Sequence, residues 1–308
     1  MNYGFENNQF YVEFPTLTRV PGNMREESDR RAREIAEDGS RLILSMSSGV
    51  DSQSVLHSFY TQGIPIEYVF FYMPGYNDIE FDQLQEVKKK WGVRIDVIDL
   101  DPMKYEEQVM LTAKAEYIHP IQVMQSIFID MLPRDADIIQ MIHDPYVHIT
   151  KEGKFYFYQG HNSPEVARMR AMSQLGRTGK YIHYGDPSEF LYSILNDDVY
   201  KGAIWTHRYF DGNELTKPNC HLLTVDRWDY YIKPIIYGKY WQDELIYFPK
   251  YGGWEHVPFM KNEVSDPALK IPEDDNWYKL KAVLIPYFDF LNDLKNKKST
   301  LRYFQRPD

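Results

Sequence analysis

Leu42-Ile-Leu-Ser-Met-Ser-Ser-Gly-Val-Asp-Ser-Gln-Ser-Val-Leu56 decides how this 308-residue chain is read. Apolar Leu42, Ile43 and Leu44 suit a central strand covered on both faces. Ser47, Ser48 and Gly49 carry no bulky side chain, so the backbone there can turn tightly and approach a ligand. Asp51 and Ser52 are good helix-start residues. Val55, Leu56 and Phe59 then recur at helical spacing, which gives the helix one face to bury. A strand, a tight loop and a helix N-terminus together present free N–H groups and a positive dipole end, a natural seat for phosphate.

Outward from this stretch, strands and helices alternate. Ile66 to Tyr72 reads as a second strand, Met73 to Asp78 as a loop, and Ile79 to Trp91 as a helix closed by Gly92. Val93 to Leu100 reads as a third strand and Asp137 to Ile142 as a fourth. Between them lie helical patterns from Pro102 and from Ile121 to Leu132. This alternation predicts a doubly wound, mostly parallel α/β sheet with helices on both faces. Ligands in such sheets bind beyond the C-terminal strand ends, where the strand order reverses. The loop at 47–52, the stretch from Tyr72 to Asp78, Asp99 to Asp101 and His143-Asp144 all belong at that edge.

The flanking regions are less regular. Met24 to Asp38 reads as a solvated helix with a thin apolar stripe, in which Arg30, Arg31 and Arg33 alternate with acids. Residues 1–24 read as an edge strand or a wrapping segment. Lys154 to Gln159 reads as an added strand, and Ser163 to Leu175 and Pro187 to Leu195 as helices. Beyond Tyr200 the chain is rich in aromatics and prolines without clean periodicity. The expected division is an N-terminal segment and helix over 1–40, a nucleotide-binding domain over 41–200, and a mixed substrate or accessory region over 201–308.

Composition excludes several classes. A formal charge of −10 argues against broad nucleic-acid binding, which needs a basic face. The five basic residues between Lys295 and Arg306 read as a basic terminus. A single cysteine, Cys220, leaves no internal disulfide and no cysteine-rich zinc site. The nine histidines show no metal-ligand spacing. The start of the chain lacks the pattern of a signal peptide, and no stretch reaches the length of a membrane span. The expected compartment is the cytoplasm.

Ser47-Ser-Gly-Val-Asp-Ser52 resembles the PP-loop, Ser-Gly-Gly-Xaa-Asp-Ser, of the ATP pyrophosphatases (adenine nucleotide alpha hydrolases). It departs from that pattern at Ser48, where glycine is usual, and it lacks the Gly-Lys-Ser/Thr ending of a Walker loop. The resemblance implies a Rossmann-like, HUP-type sheet and cleavage of ATP between its α- and β-phosphates. A substrate oxygen would be adenylated, and a second nucleophile would then displace AMP. It also implies phosphate contacts from Ser47, Ser48, Gly49, Val50, Asp51 and Ser52. Asp51 would meet a Mg²⁺ ion, and the adenine would lie against Ser45 and Met46 on one strand end and Phe71 and Tyr72 on the next.

More loosely, the chain resembles the synthetase domain of asparagine synthetase-like ligases. Asn77-Asp78, His143-Asp144-Pro145, Tyr184 to Glu189 and Phe248 to Glu255 carry that resemblance. It implies a second metal or substrate group at Asp144 and a pyrophosphate clamp at Lys250. The expected partners are ATP and an unidentified small-molecule or macromolecular acceptor, with a homodimer compatible with the pattern. Two other readings stand beside this one. Sulfonucleotide reductases share the fold and a related loop but work through a cysteine near the C-terminus, and 88 residues follow Cys220-His221 here. The loop could also serve a nucleotide-binding module without turnover, in keeping with Ser48.

Overall fold

In the computed structural model, the residues described are 2–6, 9–13, 19–116, 120–141, 147–149, 155–157, 172, 175–177, 179–182, 188–195, 197–200, 220–221, 233–248, 256–261 and 278–281. The elements that frame the site follow in chain order. Strands β1 (Asn2–Glu6) and β2 (Gln9–Glu13) form an antiparallel hairpin. Next come helix α1 (Met24–Ala36), strand β3 (Arg41–Ser45), helix α2 (Val50–Thr61), strand β4 (Glu67–Tyr72), helix α3 (Asp78–Trp91) and strand β5 (Ile95–Asp99). Helices α4 (Glu106–Glu116) and α5 (Pro120–Met131) lead into strand β6 (Ala136–Met141).

The later part of the chain contributes short strands β7 (Val147–Ile149), β8 (Phe155–Phe157) and β9 (Gly179–Ile182), and helix α6 (Ser188–Leu195). Strand β10 (Cys220–His221), helices α7 (Lys233–Trp241) and α8 (Pro258–Lys261), and strand β11 (Tyr278–Lys281) follow. No helix among the described residues is long and apolar enough to cross a membrane.

The central sheet has five strands in the order β5-β4-β3-β6-β9, every pair parallel. This is the Rossmann-like, doubly wound architecture, and the strand order reverses between β3 and β6. Alternation along each strand explains the two layers of core. Leu42 and Leu44 of β3, Tyr68 and Phe70 of β4, and Ile139 of β6 face α1, α2 and α3, packing on Ala32, Ile35, Val55, Leu56, Phe59, Leu84 and Val87. Ile43, Val69, Phe71 and Ile138 face the other way, onto Val109 and Ala113 of α4, Val123, Met124 and Phe128 of α5, and Phe259 of α8. Strands buried on both faces read as apolar runs, as β3 does over Leu42–Leu44 and β4 over Tyr68–Tyr72, whereas β6 keeps only Ile138 and Ile139 between buried Asp137 and Gln140.

The helix ends follow local chemistry. Asn23 and Glu26 form a reciprocal capping box at the start of α1. Gly92 takes the left-handed conformation, φ 63°, that stops α3, a position where a Cβ would be strained. Arg30 in α1 bonds Glu27 and Glu34, and Arg33 bonds Gln62, so both guanidiniums are engaged by side chains of α1 and the end of α2.

Two features were not legible in the sequence. Strand β9 adds a fifth strand beside β6 through Gly179 to Ile182. Strand β11 joins β2 in parallel, so the two ends of the described chain share a three-stranded sheet. The helix expected over Ser163–Leu175 lies outside the described residues except at Met172, Leu175 and their turn.

Candidate functional site

The loop between β3 and α2 lies at the C-terminal edge of the sheet, beside the β3/β6 reversal. Gly49 is the N-cap of α2 in an extended conformation, with no side-chain cap on the first N–H groups of the helix. Ser47 and Ser52 face each other across the loop, their hydroxyl oxygens 2.8 Å apart. The Ser47 N–H donates to Ser52 Oγ at 3.2 Å, and the Gly49 N–H donates to Ser47 Oγ at 3.2 Å. These contacts hold the loop closed around two hydroxyls and the start of a helix dipole.

Ser48 has a place of its own. Its hydroxyl donates to Gln83 Oε1 at 2.7 Å, and its carbonyl accepts from Gln53 Nε2 at 2.7 Å. A side chain at this position, where the PP-loop pattern has glycine, is therefore paired with α3 rather than pushed into the loop. Val50 opens α2 and is half-buried.

Asp51 does not stand alone on the first turn of α2. Its Oδ2 is ion-paired with the Lys233 ammonium, and its Oδ1 accepts from the Tyr237 hydroxyl at 2.5 Å. Lys233 and Tyr237 are one turn apart on α7, so one helix face delivers both groups to one carboxylate. The segment that follows is pinned to the same helix. Gln53 exchanges two hydrogen bonds with the backbone of Ile246, both at 2.8 Å. Glu244 meets His57 of α2 and Arg25 of α1. Burial, and then the positive charge of Arg25, hold the His57 pKa below the ordinary value. Residues 233–248 thus form a strap laid along the phosphate-type loop and its helix.

Lys250, expected as the cation returning to the phosphates, and Asp144, expected as a second acidic group, both lie outside the described residues. Among the described residues, Lys233 is a cation that reaches the loop. Sequence reading missed it because it precedes Lys250 in a region without periodicity, and only a contact spanning 182 residues brings it to Asp51. Among the described residues, no three His, Cys, Asp or Glu side chains converge as a metal cage would require. In this arrangement one oxygen of Asp51 is taken up by the Lys233 ion pair.

Behind the loop opens a cleft of about 210 Å³. Ser45, Met46, Ser47 and Ser52 form its loop side, Phe71 and Ile138 line it from the sheet, and α5 closes it. Phe71 stacks on Phe128, ring centroids 4.5 Å apart. Tyr72 is placed differently from its neighbour: its ring stacks on Phe81, and its hydroxyl donates to Asp78 Oδ1 at 2.7 Å. The pleat turns successive side chains to opposite faces, so Phe71 reaches the cleft and Tyr72 does not. Asn77 braces the same edge from within, accepting from the Met73 N–H at 2.7 Å and donating to the Phe71 carbonyl at 3.0 Å.

Glu80, in the first turn of α3, also lines the cleft. Burial pushes its carboxyl up from 4.5 to about 7, against the opposing pull of the Ser48 N–H and the Asn77 side chain. Because the folded protein holds this proton more tightly than the unfolded chain, the contribution to stability is full below about pH 4.5 and lost as pH rises through about 7. Glu80→Gln is therefore expected to match the parent near pH 4.5. It should exceed the parent above pH 7 by about 2–3 kcal/mol, the shift discounted for partial exposure. Melting curves from pH 4.5 to 8 check this, and a stability difference that does not change with pH would refute it.

No family model matches the chain, and no curated protein matches it. Among solved structures, the NAD⁺ synthetase of Burkholderia pseudomallei is similar at 15% identity and a TM-score of 0.27, over 63% of this chain and 94% of that one. That overlap is too loose to bear on function.

Proposed function

We propose that this chain is an ATP-using enzyme of PP-loop type that adenylates an acceptor oxygen and releases pyrophosphate. The observation that carries the reading is one of position. The Ser47–Ser52 loop opens at the strand-order reversal, and its two hydroxyls share a cleft with Met46 and Phe71. In this reading the polyphosphate lies over the start of α2 and the base enters the cleft.

The acceptor oxygen attacks the α-phosphorus, the bond from that phosphorus to the bridging α–β oxygen breaks, and pyrophosphate leaves with the bond's electron pair. Charge develops on the leaving group, so catalysis rests on donors already aimed at it. The Ser47 and Ser52 hydroxyls and the N–H groups at the start of α2 are those donors. Lys233 supplies the positive charge assigned in the sequence to Lys250, by leaving Asp51 for phosphate oxygens. Asp51 is the carboxylate that would hold a Mg²⁺ ion accompanying the nucleotide, and the ion would neutralise charge on the phosphates. A second nucleophile then displaces AMP from the acceptor.

Binding is tested by thermal protection. MgATP at a hundred times its dissociation constant is expected to add about 2.7 kcal/mol of stability. If neither ATP nor AMP with Mg²⁺ moves the melting temperature, the nucleotide assignment falls. Pyrophosphate formation with a panel of carboxylates, amides and modified bases then identifies the acceptor. ATP binding with no pyrophosphate from any acceptor favours the reading of a binding module without turnover.

A further inference from the structure

Among the described residues that line the cleft, Glu80 alone carries an ionisable side chain, and Ser47 and Ser52 of the loop line the same space. The Glu80 carboxyl also accepts from the Ser48 N–H, one of the backbone donors that a phosphate over the loop would use. An acidic group thus sits on the anion seat itself. As a carboxylate it would repel an incoming phosphate, and in a half-buried site that repulsion is poorly screened.

Such a group can respond in two ways: it swings out of the site, or it takes up a proton and stays. Its surroundings favour staying. Asn77 holds the carboxyl through its side chain, and Asn77 is itself buried and fixed by the Met73 N–H and the Phe71 carbonyl. No cation sets the charge of Glu80; burial, the Ser48 N–H and Asn77 do. The neighbouring elements present neutral groups to the cleft, Ser52 from α2, Gln125 from α5 and Gln140 from β6. The carboxylates closest in sequence are engaged elsewhere, Asp51 by Lys233 and Tyr237, and Asp78 by Tyr72 and the Gly75 N–H. Burial already brings the Glu80 carboxyl to about 7, and a phosphate beside it would raise it further.

We propose that Glu80 contacts the polyphosphate as a neutral acid, its O–H donating to a phosphate oxygen, so that nucleotide binding takes up one proton from solvent. This rests on the nucleotide reading above and extends it to a donor outside the loop. The proton joins one carboxyl oxygen and no other covalent bond changes. The repelling pair becomes a hydrogen bond to an ionised acceptor, which is stronger than one between neutral groups.

Calorimetric titration with ATP and with inorganic tripolyphosphate, each as its magnesium complex and in two buffers of different ionisation enthalpy, counts the protons. At about pH 7.5 and above, the native protein is expected to take up close to one proton with either ligand, and its affinity should fall by up to about tenfold per pH unit. Glu80→Gln, which offers a neutral donor of the same shape, should take up none, and its affinity should stay nearly level with pH and exceed the native value at the alkaline end. Glu80→Ala should also take up none but bind several-fold more weakly than Glu80→Gln, because the donor is gone. Native binding without proton uptake, or uptake that persists in Glu80→Gln, would overturn the proposal and leave the loop reading standing. Glu80→Gln binding more weakly than the native protein at every pH would overturn it too, since the carboxylate would then be the useful form. A native protein that binds neither ligand overturns both readings together.

Discussion

Asp51→Ala is expected to end pyrophosphate release, with a loss of about 10²–10³-fold or more, in a protein that still folds. The residue stands on the first turn of α2, beside the Ser47–Ser52 hydroxyl pair, and it holds Lys233 and Tyr237 of the strap in place. Removing the carboxylate therefore takes away the acidic group on the first turn of α2 and frees the cation from its register. It also takes one carboxylate partner from the Lys233 ammonium, which is only 11% exposed. Breaking a buried pair from one side costs more than the pair is worth, and about 1–3 kcal/mol is expected at this partly exposed site.

The double variant Asp51→Ala, Lys233→Met separates the two effects. It should recover part of the lost stability, because a mostly buried ammonium that has lost its Asp51 partner is gone, and recover none of the turnover. Pyrophosphate release and urea denaturation, measured on the parent, both single variants and the double variant, make the comparison. Full turnover in Asp51→Ala would remove this carboxylate from the chemistry.

Phe59→Ala is expected to cost about 3–5 kcal/mol. The ring is fully buried on the inner face of α2. It belongs to the cluster with Ile35 of α1 and Leu42 and Leu44 of β3. Truncation removes apolar contact from three elements and leaves a cavity that a strand and two helices cannot collapse to fill. Against a total of roughly 5–15 kcal/mol for a typical domain, that is a large fraction. A fall in the denaturation midpoint with an unchanged slope is the expected signature. A change below about 1 kcal/mol would mean that α2 is not packed as described.

The same two layers explain why much of the sheet is legible in the sequence. β3 and β4 are covered on both faces, so each carries an apolar run, and β6 shows a shorter one at Ile138-Ile139; Gly92 marks the stop of α3. Strand β9 escaped because only four residues pair, among them Gly179, Lys180 and Tyr181, without a run to betray them. The strand at β11 escaped for a different reason: its partner β2 lies at the other end of the chain, and no local pattern carries that information. Likewise Tyr72 sits next to Phe71 in sequence but on the opposite face of β4.

By itself, the sequence determined the strand–loop–helix unit at 42–59, the alternation that makes the sheet parallel, and the small polar residues suited to an anion. These depend on periodicity and backbone freedom, properties that act over a few residues. Tertiary structure decided what surrounds that unit. It paired Asp51 with Lys233 and Tyr237 across 182 and 186 residues, gave Ser48 its partner Gln83, and raised the Glu80 carboxyl by burying it in the cleft wall. Ion pairing and desolvation depend on what lies within a few ångströms in space, and distance along the chain carries no record of that.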